Sequence, residues 1–333
     1  MNVVLVNGPE QAEEYSDDRL LLSIIIVSFN TCDLTVGAIA SVIGQLGGDS
    51  EIIVVDNASI DDSVARIVEH FPQVTLLALR QNIGFGPANN LAAERARGRY
   101  LLLVNSDTLA QPDAISALLD FAQRRPQARI WGGRTLTADG KLNPRSCARR
   151  PSLWSVIAMA IGLAHLFPKS SLCNPEAMPG WSRDDERAVD IVIGCFLMIG
   201  REDWEHLGGF DPAYFMYGEE VDLCLRAQRR GAMPAICPGA TIIHFGGASQ
   251  PAAPRMAQIL AGRIRYCRSH LPPRHRWVAI WFIRMGVLLR LGIYLLAPAS
   301  SVGRRRLQDV NRLRGFWWNG YPDHIGNAGP NLP

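Results

Sequence analysis

The sequence predicts an α/β chain: a doubly wound, mostly parallel sheet followed by a helical, arginine-rich C-terminal extension. Three observations predict it. Short apolar runs rich in β-branched residues recur at Leu21–Ser28, Glu51–Val55, Val74–Leu79 and Tyr100–Val104, each fit for a strand buried on both faces. Helical stretches separate them with short connections, the βαβ alternation of a parallel sheet. The charge is also split. From Arg255 onward there are 13 Arg, no Lys and 2 Asp, a balance of +11, against −8 over residues 1–254. Hydrophobic residues at 48% and charged residues at 20% of 333 exclude a disordered chain.

Taken in order, residues 1–20 read as a polar leader. Met1–Val6 carries no basic residue and is too short an apolar run for a secretory signal. Residues 33–46 read as a helix, and the second strand ends in Asp56-Asn57-Ala58-Ser59 before a helix over Asp61–His70. Residues 87–97 are helical, and the fourth strand ends in Asn105-Ser106-Asp107. Residues 128–150 read as a β-hairpin turning near Asp139-Gly140. The uncharged stretch 151–168 reads as a buried or interfacial helix, at the lower limit of length for a span. Val189–Ile199 reads as a strand. Residues 219–231 read as a helix with an acidic start and a glycine stop, and Thr241–Phe245 as a short strand. Seven scattered cysteines without a CxxC fit neither a disulfide framework nor a zinc site, and point to a reducing compartment.

Polar clusters stand where these strands end, which is where open α/β sheets bind ligands. Asp56 can accept hydrogen bonds from a nucleobase or ribose; the alternative is that Asp56 and Ser59 only cap the next helix. Asn82-Ile83-Gly84-Phe85-Gly86-Pro87-Ala88-Asn89 brings two glycines to a helix start, where backbone N–H groups meet a ligand or form an ordinary turn. Its third glycine position holds Asn89, which argues against a dinucleotide fold. Asn105-Ser106-Asp107 offers a carboxylate for a divalent cation on a diphosphate. Glu219, Glu220 and Asp222 place three carboxylates in four positions, more than capping requires and enough to supply a general base. His244 ends the TIIH strand in a glycine-rich turn and is a candidate metal ligand.

Five stretches and the His244 strand, in this order and spacing, resemble glycosyltransferase family 2: IIIVSFN (24–30), VVDNAS (54–59), NIGFGPANN (82–90), LLLVNSD (101–107) and GGFDPAYFMYGEEVDLCLR (208–226). The bacterial rhamnosyltransferase-like branch is the most similar. The resemblance covers residues 21–250 and implies a GT-A fold, with a nucleotide-sugar half at about 21–130, an acceptor half at about 131–250 and a membrane-associated extension at 255–333. It implies transfer of a sugar from a nucleoside diphosphate with inversion. Donor-binding residues would be Asp56, Asn57, Ser59, Asn82, Gly84, Phe85, Gly86, Asn89 and Asn105. Asp107 would be the last carboxylate of the DxD motif, and His244 would help it hold Mg²⁺ or Mn²⁺. Glu220 would be the catalytic base, with Asp222 in reserve. Two departures are visible. Asn105 replaces the first Asp of DxD, and Glu220 replaces the commoner Asp, lengthening its reach by one methylene.

The partners expected are a dTDP-rhamnose donor first and a UDP-sugar second, a lipid-linked or glycan acceptor, an anionic membrane surface and no nucleic acid. The alternatives are a nucleotidyltransferase on the same sheet and a non-catalytic sugar-binding homologue. The site expected is the cytoplasmic face of a bacterial cell membrane. Trp277–Leu296 is long enough for about 30 Å of helix, yet Arg284 and Arg290 would each cost roughly 2.5–3.5 kcal/mol at a bilayer centre. Peripheral or monotopic binding is therefore expected over a clean span, with packing on protein as the alternative.

Overall fold

The computed structural model describes residues 3–7, 20–246, 251–296, 298 and 301–322. An edge strand β1 (Val3–Asn7) precedes β2 (Leu22–Ser28), α1 (Cys32–Ile43), β3 (Ser50–Asp56), α2 (Ser63–His70), β4 (Thr75–Leu79), α3 (Phe85–Ala93) and β5 (Tyr100–Asn105). Next come β6 (Thr108–Ala110), α4 (Ala114–Arg124), β7 (Ile130–Leu136), β8 (Cys147–Ala148), α5 (Leu153–Ala160) and α6 (Leu163–Leu166). Then follow β9 (Arg187–Ala188), β10 (Ile191–Val192), β11 (Phe196–Gly200), α7 (Arg201–Leu207), α8 (Glu219–Gln228) and β12 (Ala235–His244). Four helices close the chain: α9 (Ala252–His270), α10 (Pro273–Leu295), α11 (Val302–Arg312) and α12 (Arg314–Trp317).

The sheet order is β1-β4-β3-β2-β5-β11-β7-β12-β6, with β9 beside β12. Strands β4, β3, β2 and β5 are parallel, as the apolar runs predict. Successive residues go to opposite faces. Ile25 and Val27 pack on one side, while Leu22, Ile24 and Ile26 pack on the other beside residues of α1 and α4. Both faces are covered, which is why these runs do not alternate with polar residues. The register sets Ser28 opposite Asp56 and Val27 opposite Asn105, so the polar strand ends lie level. The chain builds β3 and β4 on one side of β2 and then crosses to β5 on the other. This reversal is the kind of place where a doubly wound sheet opens a ligand crevice.

Three expectations are modified. Val3–Asn7 is an antiparallel edge strand on β4, while residues 8–19 of the expected leader lie outside the described residues. The hairpin over 128–150 reduces to β7, a turn at Thr137–Lys141 and a single bridge between Leu136 and Leu142. The strand expected over Val189–Ile199 breaks between β10 and β11. The break lets β11 lie antiparallel to β5 while Ile193-Gly194-Cys195 leaves the sheet toward α8, where a Cβ on Gly194 would stand 3.7 Å from Glu220 Cβ.

The C-terminal helices share the core. One continuous apolar cluster runs from Ile25 through Leu223, Ile264 and Ile283 to Trp317 and Tyr321. Trp317 is fully buried and its indole N–H donates to Val310 O at 2.8 Å. Trp317→Ala is therefore expected to lower stability by about 3–5 kcal/mol, the range for deleting a buried aromatic. Urea unfolding followed by far-UV circular dichroism checks this; a change within 1 kcal/mol would mean that these helices stand apart from the catalytic core.

Candidate active site

The crevice is assembled from loops that bond to one another. Asn30, at φ +53°, accepts from Ile60 N through its side chain, and Asn30 N donates to Ser59 Oγ at 2.9 Å. Asp61 accepts from Cys32 N, and the Thr31 hydroxyl donates to Ser106 Oγ. These contacts tie the ends of β2, β3 and β5 together. At the end of β3, Asp56 is buried; Ser59 N donates to its Oδ1 at 2.9 Å, while Oδ2 is buried with no partner. Burial pushes its carboxyl above the ordinary value against the pull of the Ser59 hydrogen bonds. A free acceptor oxygen in that position is ready for an N–H from a ligand.

Most of the other residues expected to bind the donor are already committed within the protein. Asn57 donates to Asn82 Oδ1 and Gly84 O, and accepts from Ile83 N. Asn82 also accepts from Gly84 N, Asn89 donates to Phe85 O, and Ser59 Oγ is taken by Asn30. Gly84, at φ +95°, turns the chain so closely that a Cβ would stand 2.5 Å from Phe215 O. Phe85 N donates to that same oxygen at 2.8 Å. Gly86 packs against Phe210, Tyr214 and Glu219. Asn90 donates to Phe210 O and accepts from Phe210 N. The Asn82–Asn90 loop is thus a dock for the Gly208–Glu220 corner. Asn105 differs: its Oδ1 is buried without a partner at the end of β5.

Asp107 and His244 meet at the far side. The antiparallel pairing of β12 with β6 sets His244 opposite Thr108, and His244 Nε2 lies 3.1 Å from Asp107 Oδ1. Burial opposes the imidazolium, but hydrogen bonding to Asp107 and Cys195 outweighs it and lifts the imidazole to about 10. The Asp107 carboxylate, with the Asn105 carbonyl oxygen unpartnered, fits a hard divalent ion that completes its shell with diphosphate oxygens, and His244 would join it only on releasing its proton. Among the described residues no group of three or more His, Cys, Asp or Glu side chains is placed to hold a metal ion.

The three carboxylates at the start of α8 have separate fates. Asp222 is closed: Arg226 Nε donates to one oxygen at 2.6 Å and His270 Nε2 bonds the other at 2.8 Å. Burial works against its charge, but His270 and Arg226 prevail and hold the carboxyl below its ordinary range. Both oxygens of the reserve base are thus engaged and its carboxyl is held ionised. Arg226 also donates to Leu207 O and Gly209 O, pinning α8 to the loop before it. Glu219 is buried with Oε2 unpartnered, and burial and then the adjacent Glu220 push it well above the carboxylate range. Glu220 is half-buried, raised by burial, and receives one long hydrogen bond from Gly218 N at 3.3 Å. Of the two raised carboxylates it is the one that reaches the surface of the crevice rather than the core.

Sequence reasoning passed over Tyr217, His270 and Tyr321. Tyr217 sits at φ +68°, a strained setting for a tyrosine, and burial pushes its hydroxyl up to about 12, with Asp107 and Glu220 among the charges it senses. Its place just before Gly218 and the acidic helix was the available signal. His270 and Tyr321, whose hydroxyl donates to Met216 O at 2.8 Å, had none, being 48 and 105 residues from their partners.

A doubly wound half extended by antiparallel strands, with carboxylates collected at the strand ends, is the architecture of the GT-A glycosyltransferases. The sequence profile described as Glycosyl transferase family 2 matches residues 23–176. An N-acetylglucosaminyl-diphospho-decaprenol L-rhamnosyltransferase of Mycobacterium tuberculosis is 29% identical over 274 residues, 78% of this chain and 88% of the relative. The rhamnosyltransferase WbbL of Escherichia coli K12 is 26% identical over 240 residues, 68% of this chain and 83% of that one. In fold, the chain is similar to a crystal structure of S. aureus TarS 1-349, at TM-score 0.50 and 13% identity over 89% of this chain and 80% of that one. GalNAc-T7 with UDP, GalNAc and Mn²⁺ aligns at TM-score 0.54 and 15% identity over 86% of this chain and 60% of that one. The chain is a glycosyltransferase, similar in sequence to family 2 over residues 23–176 and to the two rhamnosyltransferases along most of its length.

The fates of Asp222 and Glu219 give opposite stability predictions. Asp222→Asn breaks a buried ion pair and is expected to cost about 3–5 kcal/mol at neutral pH. A depressed carboxyl contributes stability that is present above its unfolded value of about 3.9 and lost as pH falls through the folded one, so the deficit should shrink in acid. Glu219→Gln should instead stabilise the ligand-free protein at neutral pH. A raised carboxyl penalises the fold as pH climbs past the unfolded value of about 4.3, so this gain should vanish below it. Urea unfolding at several pH values checks both signs.

Proposed function

We propose that the chain is an inverting transferase that moves a deoxyhexose, rhamnose first, from a nucleoside-diphosphate sugar to a lipid-linked or polysaccharide acceptor. The donor is dTDP-rhamnose in the first place and a UDP-sugar in the second. The setting is cell-envelope glycan synthesis at the cytoplasmic face of a bacterial membrane. The observation that carries the reaction type is the division among the α8 carboxylates: Asp222 is spent on Arg226 and His270, and Glu220 is raised and left open. The names of the two rhamnosyltransferase relatives support the sugar, and that of the first supports a lipid-diphosphate acceptor.

In this mechanism Asp56 Oδ2 accepts the imide N–H of a pyrimidine base, filling the one acceptor that the protein leaves empty there. Gly84, Gly86, Asn57, Asn82 and Asn89 keep the loop beside the donor in shape, and Ser59 holds Asp56. Asp107 and His244, with Asn105 beside them, would hold Mg²⁺ or Mn²⁺. When bound, the ion supplies positive charge to the departing diphosphate. Glu220 takes the proton of the acceptor hydroxyl as it attacks the anomeric carbon opposite the leaving group. Burial raises its basicity toward the working pH, which is what a general base needs. One displacement with one base gives inversion.

Glu220→Gln keeps the size and removes the base. Turnover is expected to fall by about 10²–10⁴-fold with donor KM little changed. Near-normal turnover would remove Glu220 from the role. The released product should be a nucleoside diphosphate; pyrophosphate would mean nucleotidyl transfer instead. For the donor, dTDP and UDP should compete more tightly than GDP, because Asp56 is read as the partner of a pyrimidine imide. Tightest binding by GDP would overturn the pyrimidine assignment.

A further inference from the structure

The outward face of α10 is apolar along its whole length. Trp277, Trp281, Leu289, Ile293 and Leu296 are 77%, 55%, 56%, 57% and 90% exposed. They follow one another at steps of three, four or eight residues, so they form a single stripe about 30 Å long. The opposite face is built into the protein through buried Ala279, Ile280, Ile283 and Val287. Gly286 lets α10 approach the end of α5 so closely that a Cβ would stand 2.5 Å from Ala160 O. The residue after Ala160, Ile161, is exposed, and so are Leu166 and Phe167 at the α6 corner.

The two arginines that count against a membrane role do not lie on the stripe. Arg284 donates from Nε and Nη2 to Trp318 O at 3.1 and 2.8 Å, and Arg290 donates to Met159 O. Both turn inward. Trp277–Leu296 holds no other charged residue. Cations stand at the two ends: Arg274 is exposed before the stripe, and Arg305 and Arg306 are exposed beyond it.

We propose that the α10 stripe, together with the Ile161–Phe167 corner, lies flat in the headgroup and outer acyl layer of an anionic phospholipid bilayer. The helix is long and apolar enough to cross a bilayer, but a span would lift α10 off the protein, expose Ala279, Ile280, Ile283 and Val287 and strand Arg284 and Arg290, so the flat placement costs less. Charge selects lipid over a second copy of the chain. A self-complementary interface would bring the exposed cations Arg274, Arg305 and Arg306 of one copy toward those of another, whereas an anionic leaflet neutralises them. Indole rings and arginines around an apolar stripe are also the composition that interfacial helices use. The proposal deepens the reading of a lipid-linked acceptor, which would then share a surface with the enzyme.

The experiment uses the full chain, without donor or acceptor, and vesicles of phosphatidylglycerol and phosphatidylcholine against phosphatidylcholine alone. Binding is read by co-sedimentation, and depth by quenching of tryptophan fluorescence with brominated lipid. The wild type should bind the anionic vesicles, and shallow bromines should quench more than deep ones. The double variant Leu289→Glu with Ile293→Glu should bind at least about tenfold more weakly, the scale for losing large apolar side chains from the interface. Arg305→Glu with Arg306→Glu should weaken binding to anionic vesicles alone. All these positions are exposed, so thermal unfolding and nucleotide binding should match the wild type. The proposal is overturned if the wild type fails to bind, or if the stripe variant binds as well as it does. It is equally overturned if the wild type is a dimer without vesicles that the stripe variant makes monomeric, because that assigns the stripe to a second copy. Vesicle binding is scored apart from sugar transfer, so either reading can fail while the other stands.

Discussion

The cleft depends on one junction, the docking of the Asn82–Asn90 loop on the Gly208–Glu220 corner. It is made of backbone groups satisfied across a large sequence gap. Asn90 serves both the N–H and the carbonyl of Phe210, and Phe215 O receives Phe85 N in a gap that only a glycine at position 84 leaves open. Each such bond contributes about 1 kcal/mol net, but an unmade one in a buried setting costs about 1–3 kcal/mol, so the junction is closer to all-or-none than to additive. Because the loop also bonds Asn57 at the end of β3, the position of Asp56 and that of Glu220 are set by the same contacts. The proposed donor side and base side are then registered against one another before any ligand arrives.

That rigidity is what allows the site to hold groups that do not help the fold. Asp56 Oδ2, Asn105 Oδ1 and Glu219 Oε2 are buried acceptors without partners, and Tyr217 sits at a positive φ. Unsatisfied groups are rare in protein interiors, and Asp56 Oδ2 and Asn105 Oδ1 stand at the ends of β3 and β5, where a ligand could supply the missing donors. The Asp222–Arg226–His270 cluster does the opposite work. It is fully paired, it fixes α8 against the Gly209 loop and α9, and it makes the raised neighbours tolerable. Carboxylates two and three residues apart thus serve stability and chemistry separately.

The sheet was legible in the sequence because strands buried on both faces must be continuous apolar runs, and β2 to β5 are. The polar residues that end them were legible for the same reason: an Asp after four buried apolar residues, as at Asp56, stands out. What was not legible was which polar atoms remain free. Asn57, Asn82 and Asn89 look like ligand contacts among the motif residues, yet the whole Asn57 amide, the Asn82 oxygen and the Asn89 nitrogen are engaged by groups about 25 residues away or within the same loop and helix. Asp222 and Glu220 have equal standing as letters. They separate only when His270, 48 residues on, closes over one of them. The break at Gly194 was hidden because apolar residues flank it on both sides, and a local pattern does not reveal that the chain leaves the sheet.

The C-terminal helices carry the same logic into the relation between surface and site. Arg284 on α10 holds Trp318 O, Trp317 beside it is buried, and three residues further on Tyr321 packs edge-on against Tyr214 and bonds Met216 O, immediately before Tyr217 and the α8 carboxylates. Arg265 on α9 reaches Asp211 in the same corner. The face that carries the apolar stripe is thus connected to the corner that carries Glu220 by packed side chains and hydrogen bonds, with no flexible linker in the path. A free tether would leave an enzyme at every tilt relative to a membrane. A helix built into the core permits only the orientation that its exposed stripe dictates, and so fixes the height and angle at which the cleft would meet a lipid-linked hydroxyl. For a reaction that needs in-line attack, such orientation lowers the barrier through geometry fixed in the fold.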